Sequence, residues 1–594
     1  MLSKTKNPDL IARVYDIRLR QYAQQGRNKE TLELGARILK TYGVSFKSEP
    51  SLAQLAPKLI MAKLSLLGKD PSKFTELPEI KDKNKGFALQ TLMNISATAY
   101  VYDINTMLFL VLRMLMISIK YGNAEESAFG YGLYGFVEGA ALGNAKQAKK
   151  FANLSIELSK KSTDPIVIAK VHFLRAFSTQ HWFEPISLAA NPLKDAFKML
   201  DQSGSYTFAS YCLQATMAKR LYLGETLETY YRDIVDYSIY TEKVQEIYSQ
   251  NLLFVLRRHV SKMTGTTHAH FIKDDAELDE DQFVKVLTEK RLLMPVAWYH
   301  VYEMMYHFHF GNDVQANEFL IKAKIVDDVA PTTMAQIEYH FYRILILANR
   351  ISGAPTHQKL KLKLTIAFAL RKLKKWSLGC AENFQSRYFL AMAVYSAATS
   401  NHRNSVEHCF SQAHTLTVQH NNSFLQGLVN ELWAKYLFVI GAPKLALEKA
   451  MSAIANYDLN GARKKVDLLK GIYDIAVNKN PDRITSPKTT DLSEIIDIEA
   501  ILKSSRVISG EIVLDKLLSS LLSILMENVG GQRGFLILVH NDTLTVEVKK
   551  DMSSNDSEIM EAISLEKSNS LSKMLVNYVW KTGESLLLDD ASLS

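Results

Sequence analysis

The stretch "TMLFLVLRMLMISIKYGNAEESAFGYGLYGFVEGA", residues 106–140, decides between two different folds for this chain. Within it, Gly130, Gly132 and Gly135 spell G-x-G-x-x-G. That spacing binds the pyrophosphate of a dinucleotide when it follows a β-strand and opens a helix. The residues around the glycines therefore decide whether a nucleotide-binding fold is expected.

The surroundings of these glycines are helical. The apolar run before them has helical spacing and ends at Gly122, and it does not alternate as a strand would. Asn123 and Glu126 have the spacing of a capping box, which predicts that a helix begins ahead of the glycines. We therefore expect the glycines inside a helix, as small residues on closely packed faces, and not in a phosphate-binding loop.

The same helical spacing continues from the N-terminus to about Val477, with similar turns along the way. Each turn is followed, five positions later, by a small or β-branched residue that lets the new helix approach its predecessor, as in tetratricopeptide (TPR) hairpins. The turns begin at Gly26, Gly143, Gly311, Asn401 and Gly441, and the residues are Thr31, Ala148, Ala316, Val406 and Ala446. The sequence thus predicts a mostly α fold, a TPR-like solenoid of helical hairpins over residues 1–479.

Composition changes after the predicted solenoid. Residues 480–510 are expected to form a linker and a signalling helix, with Asp491 and Glu494 as a capping box. Residues 511–594 are expected to form a small α/β domain that the sequence leaves incomplete. Its predicted elements are a helix "EIVLDKLLSSLLSILMENV", a hairpin of "RGFLILV" and "LTVEVKK", a helix "LSKMLVNYVWKTG" and a third strand "ESLLLDDASLS".

Length and composition limit the class of protein. A chain of 594 residues is too long for a single hydrophobic core, so several domains or repeats are expected. Its 47% hydrophobic and 22% charged residues are typical of a folded soluble protein. The net charge of +9 is too small to indicate that the chain binds nucleic acid.

The cysteines and the most apolar run bear on the compartment. Cys212, Cys380 and Cys409 form no CxxC pair, which favours a reduced, cytoplasmic setting. The apolar run Met107–Ile119 contains Arg113 and is expected to be a buried helix too short to span a bilayer.

The motifs of the common enzymes that act on ATP are missing from the sequence. Neither the HRD- and DFG-like segments of a kinase nor the GxxxxGK[ST] of a P-loop ATPase is present. HExxH and G-x-S-x-G are missing as well. We therefore expect a chain that is not an enzyme, with no catalytic, cofactor-binding or metal-binding residues.

Two histidine-containing stretches contain residue types that can bind metals. His268 and His270 stand near Asp274, Asp275 and Glu277, but their spacing matches no defined site, and a solvated loop that opens a helix is favoured.

His307 and His309 alternate with Phe308 and Phe310. They are expected at the polar edge of a helix that ends there, with metal binding as the less favoured alternative.

The most basic segment is "KLKLKLTIAFALRKLKKW", residues 359–376. A basic amphipathic helix can bind membranes, acidic segments or calmodulin-like partners. The favoured interpretation is a helix of the array with a solvated lysine face and with Trp376 packed inside a hairpin.

Several stretches resemble a known family when they are taken in order. "SIKYGNAEESAFGYGLYGFV", "LKKWSLGCAENFQSRYFLAMA" and "NELWAKYLFVIGAPKLALEKAMSAIANYDLNGARKKVDLL" resemble the repeat region of very large bacterial signalling proteins. "ISGEIVLDKLLSSLLSILMENVGGQRGFLIL" and "LVNYVWKTGESLLLDDAS" resemble the first half of the GAF domain of those proteins. Family members join a serine/threonine kinase, an AAA-type ATPase, helical repeats, a GAF sensor and a histidine kinase.

The resemblance implies a non-catalytic signalling scaffold, in which a protein-interaction solenoid is coupled to a truncated GAF-like sensory domain. The implied partners are other proteins or the kinase and ATPase domains of a signalling system, not nucleic acid or membranes. The alternative is a regulatory fragment of a kinase or AAA ATPase that acts only with catalytic domains missing from this chain. A bilin linked through a thioether is excluded, since no cysteine follows Cys409. A transcription regulator ranks last, since no basic recognition helix stands out.

Overall fold

The computed structural model describes residues 8–140, 143–271, 278–399, 402–477, 532–540, 543–551, 558–568 and 571–582, together with Leu522 and Met526. The chain divides into two units. The first comprises residues 1–310 and 315–469, and the second comprises residues 311–314 and 470–594.

Up to residue 477 the described chain is almost entirely helical, which confirms the mostly α class. The helices of the first half are α1 (Pro8–Gln24), α2 (Asn28–Thr41), α3 (Leu52–Leu66), α4 (Lys83–Tyr102), α5 (Ile104–Tyr121), α6 (Ser127–Ala140), α7 (Ala145–Ser159), α8 (Pro165–Leu174), α9 (Ala190–Gln202), α10 (Tyr206–Tyr222), α11 (Leu227–Lys243) and α12 (Ile247–Thr264). The helices of the second half are α13 (Glu280–Glu289), α14 (Leu293–His309), α15 (Asp313–Lys322), α16 (Val326–Val329), α17 (Met334–Asn349), α18 (Thr356–Gly379), α19 (Ala381–Thr399), α20 (Arg403–Gln419), α21 (Ser423–Val439), α22 (Pro443–Asn460) and α23 (Arg463–Val477).

Short helical segments of other types join these helices. Most of them are 3₁₀ turns, and one is a π-helical turn at Arg175–Thr179 that directly follows α8. The 3₁₀ turns are Pro71–Glu76, Gln180–Trp182, Ile186–Ala189, Ala269–Phe271 and Ala323–Ile325.

The small and β-branched residues after the predicted turns lie in the core, as the sequence predicts. The glycines that open these turns have positive φ, for example +61° at Gly143 and +76° at Gly441, which glycine adopts without strain. The five residues are at most 1% exposed, and they are Thr31, Ala148, Ala316, Val406 and Ala446. Consecutive helices such as α6 and α7, or α21 and α22, pack against each other as hairpins.

The three glycines of the G-x-G-x-x-G pattern lie inside α6, so the prediction of a helix is confirmed. A Cβ atom on Gly132 would lie 2.8 Å from the Oγ atom of Ser155 on α7. A Cβ atom on Gly135 would lie 3.2 Å from the carbonyl oxygen of Ala148. The glycines are therefore contact points between helices, and no loop follows a strand here.

The predicted capping box at Asn123 and Glu126 is wrong. Helix α6 begins at Ser127, and the Oγ atom of Ser127 accepts a hydrogen bond from the amide of Ala124 at 3.0 Å. Asn123 instead forms an isolated bridge with Glu79, and its side-chain amide donates to the carbonyl of Phe74 at 2.7 Å. The tertiary contact with residues 74–80 thus replaces the local cap that the spacing suggested.

The apolar run Met107–Ile119 belongs to a longer helix, α5, which extends from Ile104 to Tyr121. Helix α5 has 18 residues, and it is the one helix in the described part of the chain that is long and apolar enough to cross a membrane. This helix is therefore long enough to span a bilayer, contrary to the sequence-based expectation. The expectation of a buried helix is confirmed, because 56% of α5 is buried inside the protein.

Helices far apart in sequence also contact each other within the first unit. The end of α10 has carbonyl groups without intrahelical partners, and side chains some 165 to 236 residues away bond to them. Arg387 and Asn422 both donate to the carbonyl of Tyr222, at 3.1 and 3.2 Å. Asn460 donates to the carbonyls of Gly224 and Glu225. Stacking of neighbouring hairpins alone does not account for these contacts.

The second unit contains a small antiparallel sheet, in the order β1 (Arg533–His540), β2 (Thr543–Asp551) and β3 (Glu558–Ser564), followed by helix α24 (Lys573–Thr582). Strands β1 and β2 form the predicted hairpin, with Arg533 opposite Asp551 and His540 opposite Thr543. Leu522 and Met526 are helical and pack against Val548.

The third strand of the described sheet is β3, which the sequence analysis missed. The predicted strand "ESLLLDDASLS" lies outside the described residues, as do the linker, the capping box at Asp491 and Glu494 and the predicted signalling helix.

Candidate functional site

Helix α18 exposes an apolar and basic face that we call the α18 stripe. Leu360, Leu364 and Phe368 are four residues apart and so lie on one side of the helix. They are 63%, 64% and 70% exposed. The stripe also includes the exposed residues Arg371, Lys374 and Leu378.

The composition of this face corrects the favoured interpretation of the basic segment. A solvated lysine face was expected, yet large apolar side chains share it with the cations. The signal was in the sequence, since apolar residues at positions 360, 364 and 368 recur at helical spacing. It was missed because a second apolar set, Ile366, Ala369, Leu370 and Leu373, has the same spacing and faces the core.

The opposite side of α18 is fixed to its neighbours. Trp376 packs against Trp182 and against Phe384 of the next helix, with ring centroids 5.2 and 5.9 Å apart, so its predicted place inside a hairpin is confirmed. Lys372 lies 2.7 Å from the Nε2 atom of His340 on α17. His340 Nε2 in turn lies 2.8 Å from the Oδ1 atom of Asp327 on α16. Three helices thus meet at one polar cluster.

The electrostatics of this cluster favour an ion pair. Burial alone would raise the pKa of Asp327, but the hydrogen bond with His340 and the charge of Lys372 lower it well below its usual range. Burial lowers the pKa of Lys372, and the charge of Asp327 opposes that shift. Burial also lowers the pKa of His340. The cluster therefore joins α16, α17 and α18 through one set of polar side chains.

His309 is not at a polar edge, which corrects the prediction for this stretch. Helix α14 does end at His309, but that side chain is buried, and its Nε2 atom is 2.7 Å from the hydroxyl of Tyr342. Burial and the nearby charge of Lys465 lower the pKa of His309 well below its usual range. His307 stacks on Phe319 with ring centroids 5.4 Å apart. His309 is therefore part of an aromatic core, whereas His307 is half-buried and lies 3.8 Å from a carboxylate oxygen of Glu303.

Lys465 and Glu431 form a buried ion pair beside His309, with 2.9 Å between Nζ and Oε1. Lys465 also donates to the carbonyl of His309, and the hydroxyl of Tyr457 donates to Glu431 at 2.9 Å. Burial lowers the pKa of Lys465 to about 8, and Glu431 opposes that shift. Burial would raise the pKa of Glu431, but Lys435 and Lys465 lower it well below its usual range.

The other histidine stretch forms an exposed loop before a helix, as expected for its described part. His268 and His270 are exposed, and His270 lies 3.0 Å from a carboxylate oxygen of Glu242. Helix α13 follows, capped by Asp279. Asp274, Asp275 and Glu277 lie outside the described residues. Within the described residues, no three histidine, cysteine or acidic side chains are grouped closely enough to hold a metal.

The three cysteines are buried free thiols, Cys212, Cys380 and Cys409. Burial raises the pKa of the Cys212 thiol well above its usual range, so this residue is a poor nucleophile. Comparison with known proteins finds no family model that matches the chain and no curated protein that matches it.

Proposed function

We propose that this chain is a cytoplasmic, non-catalytic signalling scaffold. A TPR-like array of helical hairpins binds a partner protein, and a GAF-like module in the second unit takes part in sensing. The α18 stripe carries the proposal, because one face of α18 exposes three large apolar side chains beside cations. Exposed apolar groups of this kind mark interaction sites on soluble proteins.

The chemistry of the stripe indicates which partner it fits. Leu360, Leu364 and Phe368 would bury their side chains in an apolar face, and Arg371 and Lys374 would pair with carboxylates. An amphipathic partner helix with leucines on one side and acidic residues flanking them satisfies both requirements. In the alternative function, a regulatory fragment, the same surface would bind kinase or ATPase domains.

The second unit supports the sensory part of the proposal. The helical residue Met526 packs closely on its antiparallel sheet, since a Cβ atom on Gly534 would lie 2.6 Å from the Sδ atom of Met526. The hairpin of β1 and β2, strand β3 and helix α24 are further elements of a small α/β fold.

A peptide-binding experiment with the full chain tests the stripe. We expect a designed helical peptide with leucines on one face and glutamates beside them to bind, as measured by fluorescence anisotropy. Replacing both Leu364 and Phe368 by serine should weaken binding at least about tenfold, since each buried apolar side chain contributes about 1.5–3 kcal/mol. Added salt should weaken binding as well.

The matched control is Leu64→Ser, because Leu64 on α3 is 63% exposed, like Leu364. This variant should bind the peptide normally, and a peptide with lysines in place of glutamates should not bind. Equal loss in Leu64→Ser, or binding of anionic lipid vesicles but not of the acidic peptide, would contradict the proposal. ATP hydrolysis that one substitution abolishes would contradict a non-catalytic function.

A further inference from the structure

Helix α3 exposes a broad apolar surface, which we call the α3 face. Five large side chains form this face, and each is 57% to 76% exposed: Leu52, Ile60, Met61, Leu64 and Leu67. The buried residues of the helix are Leu55 and Ala62, and helical spacing puts these two on the other side. Exposed apolar side chains that cluster in this way mark a binding surface.

The face belongs to a formed helix that rests on α5. The amide of Ser51 donates to the Oε1 atom of Gln54 at 3.1 Å, which caps the start of α3. On the inner side, the Oγ atom of Ser65 lies 3.8 Å from the Sδ atom of Met116 on α5. The 15 residues of α3 make a rod about 22 Å long. A partner therefore meets a helix that is already folded.

Lysines accompany the apolar side chains of α3. The stretch of residues 51–69 contains three lysines and no acidic residue. One of them, Lys63, has a partner, because its Nζ atom lies 2.5 Å from the Oε1 atom of Glu138. The ammonium group of Lys58 lies 5.2 Å from the ring centroid of Phe109, and Lys69 is exposed. The surface of α3 is thus positively charged as well as apolar.

The carboxylates on either side of this stretch are paired with other cations. Glu49 lies 2.5 Å from Arg291, and Asp70 lies 3.3 Å from Lys150. These acidic residues therefore leave the charges of Lys58 and Lys69 uncompensated. An occupant of the α3 face has to supply both apolar atoms and negative charge.

The residue types of the α3 face distinguish between possible occupants. A symmetric contact between two copies uses the same surface on both, so it would bring like charges together. The cores of protein interfaces are rich in aromatic residues and arginine and poor in lysine. The α3 face contains neither an aromatic residue nor an arginine. Leucine beside lysine is instead typical of a helix that lies in the surface of an anionic membrane.

We propose that the α3 face binds the surface of a membrane that contains anionic lipids. Helix α3 lies parallel to the membrane, and its large apolar side chains enter the boundary between headgroups and acyl chains. Lys58 and Lys69 bind the lipid phosphates. The family resemblance implied no membrane partner, whereas this surface favours one. The α18 stripe lies on a different helix, so the two surfaces can be tested separately.

The first test mixes the full chain with lipid vesicles and separates the bound protein by sedimentation. We expect binding to vesicles of phosphatidylserine and phosphatidylcholine in equal parts, and binding at least about tenfold weaker to phosphatidylcholine alone. Ile60→Ser/Leu64→Ser should weaken binding to the anionic vesicles at least about tenfold, because two large apolar side chains no longer leave water. Added salt should weaken that binding as well.

The matched control is Leu364→Ser/Phe368→Ser on the α18 stripe, because Leu364 is 64% exposed and Leu64 is 63% exposed. This control should bind vesicles normally and lose the designed helical peptide. Ile60→Ser/Leu64→Ser should do the reverse. Failure of the membrane surface is therefore distinguishable from failure of the peptide-binding surface.

The second test reports from the α3 face itself. The three native cysteines are buried, so a thiol-reactive dye attaches selectively to an added exposed cysteine. With a dye that is brighter in apolar surroundings, we expect the fluorescence of labelled Leu64→Cys to rise when anionic vesicles are added. The dye on Leu364→Cys should not respond.

Several results would overturn this assignment. One is equal vesicle binding by the wild type and Ile60→Ser/Leu64→Ser, and another is a dye at position 64 that does not respond. A wild-type dimer in analytical ultracentrifugation that this double variant dissociates would make the α3 face an interface between copies. Loss of peptide binding in the same variant would assign the face to a protein partner. Circular dichroism checks that each variant is folded.

Discussion

Lys465 and Glu431 show how strongly a single buried residue matters in this helical array. The two side chains are 1% and 4% exposed, so neither charge is solvated by bulk water. Their attraction offsets the cost of burying them, and each remains ionised because of the other. Removing Lys465 leaves the buried Glu431 to be compensated by Lys435, which lies 2.8 Å away but is 42% exposed, and this costs more than removing both charges of the buried pair.

Lys465→Met should therefore lower the free energy of unfolding by about 3–5 kcal/mol, measured by urea denaturation with circular dichroism. The double variant Glu431→Gln/Lys465→Met should regain much of this loss. Because the folded pKa of Glu431 lies below its unfolded value, its stabilising effect is complete above the unfolded pKa and is lost as pH falls. Without Lys465 the folded pKa of Glu431 is higher, so the loss should be smaller and should be complete at a higher pH. A single variant as stable as the wild type would refute this account.

At the scale of the element, α6 shows why glycines occur in a helix that they intrinsically weaken. Glycine costs about 0.5–1 kcal/mol relative to alanine within a helix. In α6 glycine is needed because α7 and α8 pack closely against the side of the helix on which Gly132 lies. A Cβ atom on Gly132 would be 2.8 Å from Ser155 and 3.0 Å from Leu174. The hydroxyl of Ser155 cannot simply turn away, since it donates to the carbonyl of Ala128.

Gly132→Ala should destabilise the protein by about 1–3 kcal/mol through overpacking. The matched control is Gly86→Ala in α4, where no atom lies within 4 Å of the added Cβ. That change should stabilise the protein by about 0.5–1 kcal/mol. Thermal melting of the two variants measures the contrast, and shifts of the same sign would refute the packing role of Gly132.

At the scale of the whole molecule, the first unit depends on polar side chains that bond to backbone groups far away in sequence. Asn383 of α19 is the clearest case. Its amide nitrogen donates to the carbonyls of His181 and Glu184 at 2.8 Å, and its oxygen accepts from the amide of Ile186 at 2.9 Å. One asparagine thus satisfies three backbone groups about 200 residues away.

Asn383→Ala should cost about 3 kcal/mol or more, since three buried backbone groups lose their partner at about 1 kcal/mol or more each. Asn349→Ala, at an exposed position, is the control and should stay within about 0.5 kcal/mol of the wild type. Hydrogen exchange provides the site-specific measurement: amides of residues 180–186 should exchange faster in Asn383→Ala only. Unchanged protection there would contradict the anchoring role.

The periodicity of the sequence predicted which helix residues are buried next to turns. It did not predict contacts between residues that are far apart in the sequence. The burial of Ala148 and Ala446 follows from helical spacing and turn position, so it could be predicted. The cap at Asn123 failed because a contact with Glu79 competes with the local hydrogen bond. The burial of His309 depends on Tyr342 and Lys465, which no local pattern reveals. The cavity lined by Phe129, Phe173 and Phe208 combines residues from six helices, so no local pattern in the sequence could predict it.

The carbonyls of Gly224 and Glu225 at the end of α10 gain their hydrogen bonds from Asn460 only after that residue has been synthesised. Ribosomes add about 5–20 residues per second, so Asn460 emerges on the order of 10–50 s after the backbone of Gly224, 236 positions earlier. During that interval the carbonyls of Gly224 and Glu225 lack the partner that holds them in the finished protein. The first half of the helical unit therefore acquires its full stability only once the second half has been translated. We expect it to reach that stability later in synthesis than a repeat in which each unit contacts only its neighbours.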